Sequence, residues 1–271
     1  MNQLLDYSAL AFYAASLGFY VWHLYGNERL IGRVATTCLS GGVVLHYLAL
    51  MARARAVGSV PYQDLYGSMS LFGWLLAATY LGIERFHRQR AVGPFVLPFV
   101  LLFVAAEAFF SPRIPLPHPA AQGPLFALHV TSNILASAAF ALSFVLSVLY
   151  LVQNRHLRDH RVGTVIFRFP ALEVLELMSR SSVTVGVCAL GFGMALGSVW
   201  AHRLMGRYVT GDPKEIFSVL TLLIYLGYLG VAQKTSWRGA RSSVLCVANF
   251  LVVIFNYTVV NFYLSKYHRF F

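Results

Sequence analysis

The stretch MGRYVTGDPKE, residues 205–215, sets Arg207, Tyr208, Asp212, Lys214 and Glu215 between two long apolar runs. Histidines recur close to the ends of other apolar runs, as His46, His129, His202 and His268. Neutral imidazoles carried by separate helices are what bis-axial ligation of a haem iron requires, one nitrogen from each side. Zinc is the competing metal, but it wants three or four tightly clustered ligands, often with a carboxylate. No HxxxH or HxxE spacing occurs near these ends, so zinc ranks second. Taken singly, each histidine also has a plain structural reading, as a hydrogen-bonded residue of helix packing. Two of them converging on one site would decide for the metal.

The polar stretch has local chemistry of its own. Asp212 suits a helix N-cap, Pro213 suits the first helical position, and Glu215 lies three residues after Asp212 as in a capping box. A well-capped helix start explains those three residues. It leaves Arg207, Tyr208 and Lys214 without a reason.

The elements that must position these groups are membrane spans. Of 271 residues, 58% are hydrophobic and 11% charged, whereas about a quarter of an ordinary soluble domain is charged. Apolar runs near 20 residues, enough to cross a hydrocarbon core of about 30 Å, recur at 8–26, 32–52, 67–84, 92–110, 124–152, 182–202, 215–233 and 242–264. The expected fold is an all-α, polytopic helical bundle of about eight spans forming one integral membrane domain over 1–271. The first run has no basic leader and no small-residue cleavage site, so it reads as a retained span. Between the fifth and sixth spans, FPALEVLELMSR mixes apolar and charged residues at helical spacing, which predicts an interfacial helix on the cytoplasmic surface.

The net charge of +11 is spread over short loops, the pattern that sets membrane orientation and not the pattern of a nucleic-acid surface. Loops after the odd-numbered spans hold 13 Lys and Arg, against 8 for the remaining loops and tails. Positive-inside therefore predicts both termini outside. His129, His202 and His268 then fall at the outer face, with His46 about 10 Å below it at 1.5 Å per residue. An ionisable group at such depth faces a protein interior or a cavity. Cys38, Cys188 and Cys246 lie inside spans without a CxxC pair and read as buried small hydrophobes. Glu84 and Glu107 are the acids near span ends, and neither has an opposite charge within its own run. The paired charges expected of a solute transporter are therefore missing from the sequence pattern.

From about residue 40 onwards the chain resembles the CcsA/ResC/CcmC haem-handling proteins of cytochrome c assembly, most closely the CcsA type and its HemX-like relatives. LGSVWAHRLMGRYVTGDPKEIFSVLTLLIYLGYL at 196–229 is similar to a Gly-x-x-Trp-Ala run, here reaching Trp200, followed by a tryptophan-rich outer loop that ends in Trp-Asp-Pro-Lys-Glu. VPYQDLYGSMSLFGW at 60–74 resembles a Pro-x-Ser-Asn-Leu-Tyr-Glu-Ser segment, LHVTSNILASAAFALSFVLSVLYL at 128–151 a His-Val-Ser span, and 237–268 a last span ending in an external histidine. Met205, Val209 and Gly211 stand where the family loop carries tryptophans. Gly230 stands where the family carries a membrane-buried histidine.

The resemblance implies haem of b type, transiently held at the outer face between His129 and His268 as metal ligands. The loop with Tyr208 and Asp212 would lie under the haem edge beside Trp200, and Arg207 and Lys214 would pair with the propionates. His46 is a further candidate contact. The implied partners are the lipid bilayer, a CcsB-like membrane protein and apocytochrome c, with no nucleic acid, in a bacterial inner membrane. No self-contained catalytic site is expected, because the reactive thiols belong to the apocytochrome and this chain would contribute positioning. A HemX-like regulatory or scaffolding role without haem delivery is the alternative.

Overall fold

The computed structural model describes residues 2–26, 28–57, 60, 64–110, 123–159 and 168–264. Every regular element among them is helical: α1 (Asn2–Gly26), α2 (Arg29–Val57), α3 (Leu65–His87), α4 (Gly93–Phe110), α5 (Pro124–Arg158), α6 (Leu172–Met205), α7 (Pro213–Val231) and α8 (Ala240–Phe255). A π-helical stretch, Asn256–Leu264, continues α8. Each expected span coincides with one of these helices. Six are long and apolar enough to cross a membrane; α3 and α4 fall outside that set. The reasons are local. α3 carries Gly67, Ser68, Ser70, Gly73 and Thr79 on faces buried against neighbours, so its hydropathy is diluted by interhelical contact residues of the kind membrane bundles use. α4 has 18 residues with Pro98 inside it, about 27 Å of helix at 1.5 Å per residue.

The helices form two rings of four. α1 packs on α2 and α4, and α3 on α2 and α4. α5 packs on α6 and α8, and α7 on the same two. α3 joins the rings by packing on α5 and α6. Tyr13, Tyr20, Leu39, Leu97 and Leu142, all fully buried, belong to a core that fills the first ring and reaches α5. A second core in the other ring centres on Phe140 stacked on Tyr225, with centroids 3.8 Å apart, together with Val183, Tyr228 and Cys246.

Two expectations need correction. The segment 169–180 is not a separate interfacial helix, because α6 runs unbroken from Leu172 through the span. Its apolar side, Leu175 and Met178, is fully buried in the bundle core, so protein and not the lipid surface takes the amphipathic face. With 35 and 34 residues, α5 and α6 are each about 50 Å long and outreach a core of about 30 Å. The cysteines also differ from expectation: Cys246 is buried, Cys38 half-buried and Cys188 exposed, the last on an outward helix face.

Candidate functional site

His129 lies near the start of α5, facing α6. Its Nδ1 is 2.7 Å from the carbonyl oxygen of Gly193. A carbonyl only accepts, so Nδ1 carries the proton and Nε2 carries the lone pair. Asn133 Nδ2, 3.2 Å from Nδ1, therefore acts as a neighbour, and it donates to the His129 carbonyl at 2.7 Å. Among the described residues Nε2 has no hydrogen bond. This is the arrangement of a ligating imidazole, in which the distal nitrogen is fixed by a carbonyl and the other is presented.

The ring fits because α6 is cut away beside it. A Cβ at Gly197 would lie 2.5 Å from His129 Cε1 and 2.7 Å from Nδ1, closer than carbon atoms approach. Trp200, one turn further along α6, stacks parallel to the imidazole at 6.4 Å between centroids and tilts against Phe126 at 5.4 Å. These two aromatic faces continue the apolar wall beside the ring.

The 206–212 loop closes the same end of the bundle. Gly206 ends α6 in the left-handed region at φ 70. His202 stacks on Tyr208 at 4.1 Å, with Tyr208 and Arg207 exposed. Asp212 is buried and caps α7, accepting from the Lys214 amide at 2.9 Å. Glu215 does not complete an ordinary capping box. It reaches past Asp212 to accept from Thr210 N at 3.0 Å, Thr210 Oγ1 at 2.7 Å and Gly211 N at 3.1 Å. Two fixed carboxylates thus lock a loop whose tryptophan positions are vacant of aromatics. Lys214 is near enough to His129 to act on it electrostatically.

The structure therefore brings His129, Trp200 and Lys214 to one end of the second ring, next to the stretch that carries Tyr208 and Asp212. His268 lies outside the described residues. His46 is elsewhere, buried in the first ring, with Nε2 2.9 Å from Ser70 Oγ and Nδ1 3.3 Å from Tyr13 OH. Gly230 is exposed, with open space beyond its Cα. Sequence reasoning missed Gly193, Asn133 and Phe126, and read Gly197 only as the first residue of the Gly-x-x-Trp-Ala run. A Gly-x-x-x-Gly at 193–197 was the available signal for close helix approach, but which residue fills the gap depends on the register of α5 against α6.

The acids were misjudged. Glu107 pairs with Arg53, and Arg53 also contacts Asp64 at 3.0 Å. Glu84 accepts from Tyr20 and, at 2.6 Å, from Thr36 Oγ1, and lies 3.7 Å from Arg90 Nε. Both carboxylates have cationic partners after all. The arginines sit at helix ends or in a turn, outside the apolar runs where a partner was sought.

Residues 62–268 match the family profile described as cytochrome C assembly protein. The chain belongs to that family. It is 30% identical over 238 residues to the cytochrome c biogenesis protein CcsA of Prochlorococcus marinus (strain MIT 9312), covering 79% of this chain and 77% of the relative. It is 27% identical to the CcsA of Pyropia yezoensis over 96% and 94% of the two chains, and 28% identical to the protein HemX of Brevibacillus brevis over 94% of each. Among solved structures, cytochrome c heme lyase CcmF has a similar fold, with a TM-score of 0.64 at 17% identity. That likeness covers 93% of this chain and 46% of CcmF, so the protein spans about half the length of that neighbour. The protein is thus a CcsA-type, multi-pass, all-helical membrane protein of cytochrome c assembly.

Proposed function

We propose that the protein holds haem at the outer membrane face and presents it to apocytochrome c. The observation that carries this reading is the state of His129: Nδ1–H is tied to the Gly193 carbonyl, leaving Nε2 as a lone-pair donor beside Trp200. His268 would supply the second imidazole, Trp200 and Phe126 an apolar wall, and Lys214 and Arg207 charge for the propionates. Bound haem supplies the iron that two imidazoles grip and the vinyl carbons to which an apocytochrome's thiols add. The chain's own work is to hold one ring in one tautomer, fix the loop through Asp212 and Glu215, and keep water from the aromatic side. The charge asymmetry of the loops supports both termini lying outside; the membrane would be a bacterial inner membrane. A CcsB-like protein would be the membrane partner.

The HemX-like alternative has its own observation. Gly230 is exposed where the family carries a membrane-buried histidine, and positions 205, 209 and 211 hold no tryptophan, departures that suit regulation or scaffolding. An absorption spectrum separates the two. Protein purified after expression with haem available should show a Soret band that His129→Ala and His268→Ala each weaken. A colourless wild type, or a band indifferent to both changes, favours the alternative.

A further inference from the structure

The turn between α7 and α8 lies at the end of the second ring away from His129. Its sequence, QKTSWRGAR at 233–241, carries Lys234, Arg238 and Arg241, and the chain has no Asp or Glu after Glu215. All three cations are exposed, and among the described residues none of them makes an ion pair. The carboxylates nearest this end are engaged elsewhere. Asp159 pairs with Arg155 at 3.9 Å, and Glu176 is half-buried, within electrostatic reach of Tyr150 and Tyr228.

Local structure holds the turn in one shape. Thr235–Trp237 is a single turn of 3-10 helix, and Gly239 takes a left-handed φ of 81 before α8 begins. A Cβ at 239 would lie 2.5 Å from the Tyr150 hydroxyl of α5, so this backbone is pressed onto the bundle while Trp237, Arg238 and Arg241 stay exposed. Arg241 Nη1 donates to the Ser236 carbonyl at 3.0 Å. That bond fixes the guanidinium over the turn and uses one of its five N–H groups.

Trp237, Ala240, Arg241 and Val244 line an open groove of about 460 Å³, in the size range of small-ligand sites. The indole is 41% exposed and Val244 56%. From the groove, the exposed positions Val244, Ala248, Leu251 and Phe255 run along α8 as one apolar stripe at helical spacing. The opposite face, with Ser242, Ser243, Cys246 and Asn249, is buried. A cationic mouth with an indole wall, leading to an apolar track on a membrane-crossing helix, complements a phosphate joined to a hydrocarbon chain.

We propose that this groove binds an anionic phospholipid. Arg241 holds the phosphate with Arg238 and Lys234 beside it, Trp237 sits where headgroup meets acyl chain, and the chain lies along Val244, Ala248 and Leu251. A guanidinium offers phosphate a fork of N–H donors, tryptophan is enriched at membrane interfaces, and basic clusters next to a span attract anionic lipids. A solvated positive loop would explain the three cations alone. It gives no reason for a guanidinium to be tied down beside an indole and above an apolar track. The site stands whichever leaflet this end faces, and it does not rest on haem.

The test is native mass spectrometry of the full chain, delipidated in detergent and titrated with phosphatidylglycerol or with phosphatidylcholine of the same acyl length. The wild type should bind its first phosphatidylglycerol severalfold more tightly than phosphatidylcholine. Arg241→Gln should weaken that first adduct about fivefold, the worth of one basic residue at an anionic surface, and Trp237→Ala should weaken it as well. Arg29→Gln removes the same charge from an exposed position at the start of α2 and should leave the adduct unchanged. Soluble glycerol phosphate should not displace the lipid, because the acyl chain supplies part of the binding. The proposal is overturned if the two lipids bind alike, if Arg29→Gln and Arg241→Gln weaken the adduct equally, or if glycerol phosphate displaces it. It is overturned too if the delipidated chain forms a dimer that Val244→Gln breaks up, which gives the face to a second copy.

Discussion

Two histidines on neighbouring rings, both on membrane-spanning helices, show how helix packing sorts one side chain into two kinds of work. His46 sits in a closed network that uses both ring nitrogens, with polar groups from four helices around it. His129 has one nitrogen bound to a backbone carbonyl, a glycine gap at its edge and an indole alongside. The first ring spends its polar groups on one another; the second leaves a donor unspent. Depth and burial alone would have ranked His46 higher, since His129 is only half-buried. The count of free lone pairs reverses that order.

Four substitutions sharpen or break this contrast. His129→Ala should have the largest effect, removing more than nine-tenths of the haem that co-purifies, read as Soret absorbance per protein. Gly197→Ala should come next. Its new methyl overlaps the imidazole edge, so haem occupancy should drop severalfold while the helical circular dichroism is kept. Arg53→Leu attacks the other ring and leaves Glu107 buried without its cation. Breaking one partner of a buried pair costs about 3–5 kcal/mol, so the unfolding midpoint in detergent should fall sharply with the remaining folded fraction still binding haem. His46→Phe strands the Tyr13 hydroxyl, while Ser70 keeps its bond to Glu107, and should cost about 1–3 kcal/mol, with the Soret band unmoved. If His46→Phe bleaches the protein as His129→Ala does, the division of labour between the rings is wrong.

A fifth change serves as the quiet control. Gly191 lies on α6, two residues before Gly193, and a Cβ there meets nothing within 4 Å. Gly191→Ala should raise stability by about 0.5–1 kcal/mol through helix propensity and leave haem binding alone. The difference between alanine at 191 and at 197 isolates the contact with His129 from any general effect of losing a glycine in α6.

The eight helices were legible because hydrophobic length is a one-dimensional property. Their overshoot was less so: Leu175 and Met178 look the same in sequence whether a membrane surface or a neighbouring helix covers them. Asp212 as a cap could be read from local chemistry. The actual reach of Glu215 could not, since it depends on how the 208–211 backbone folds back. His129 was singled out from its position near a span end and from the family resemblance. The group that fixes its tautomer, the Gly193 carbonyl, carries no side-chain identity and sits 64 positions away. Arg53 and Arg90 were read only as loop charges because each lies beyond its apolar run, although both fold back onto buried carboxylates.

The most direct measurement is electron paramagnetic resonance, with 15N-histidine coupling, on the ferric haem complex in nanodiscs. The account predicts a low-spin signal coupled to two imidazole nitrogens, with one coupling lost in His129→Ala and restored by added 15N-imidazole. A low-spin signal whose two nitrogen couplings survive His129→Ala would contradict it.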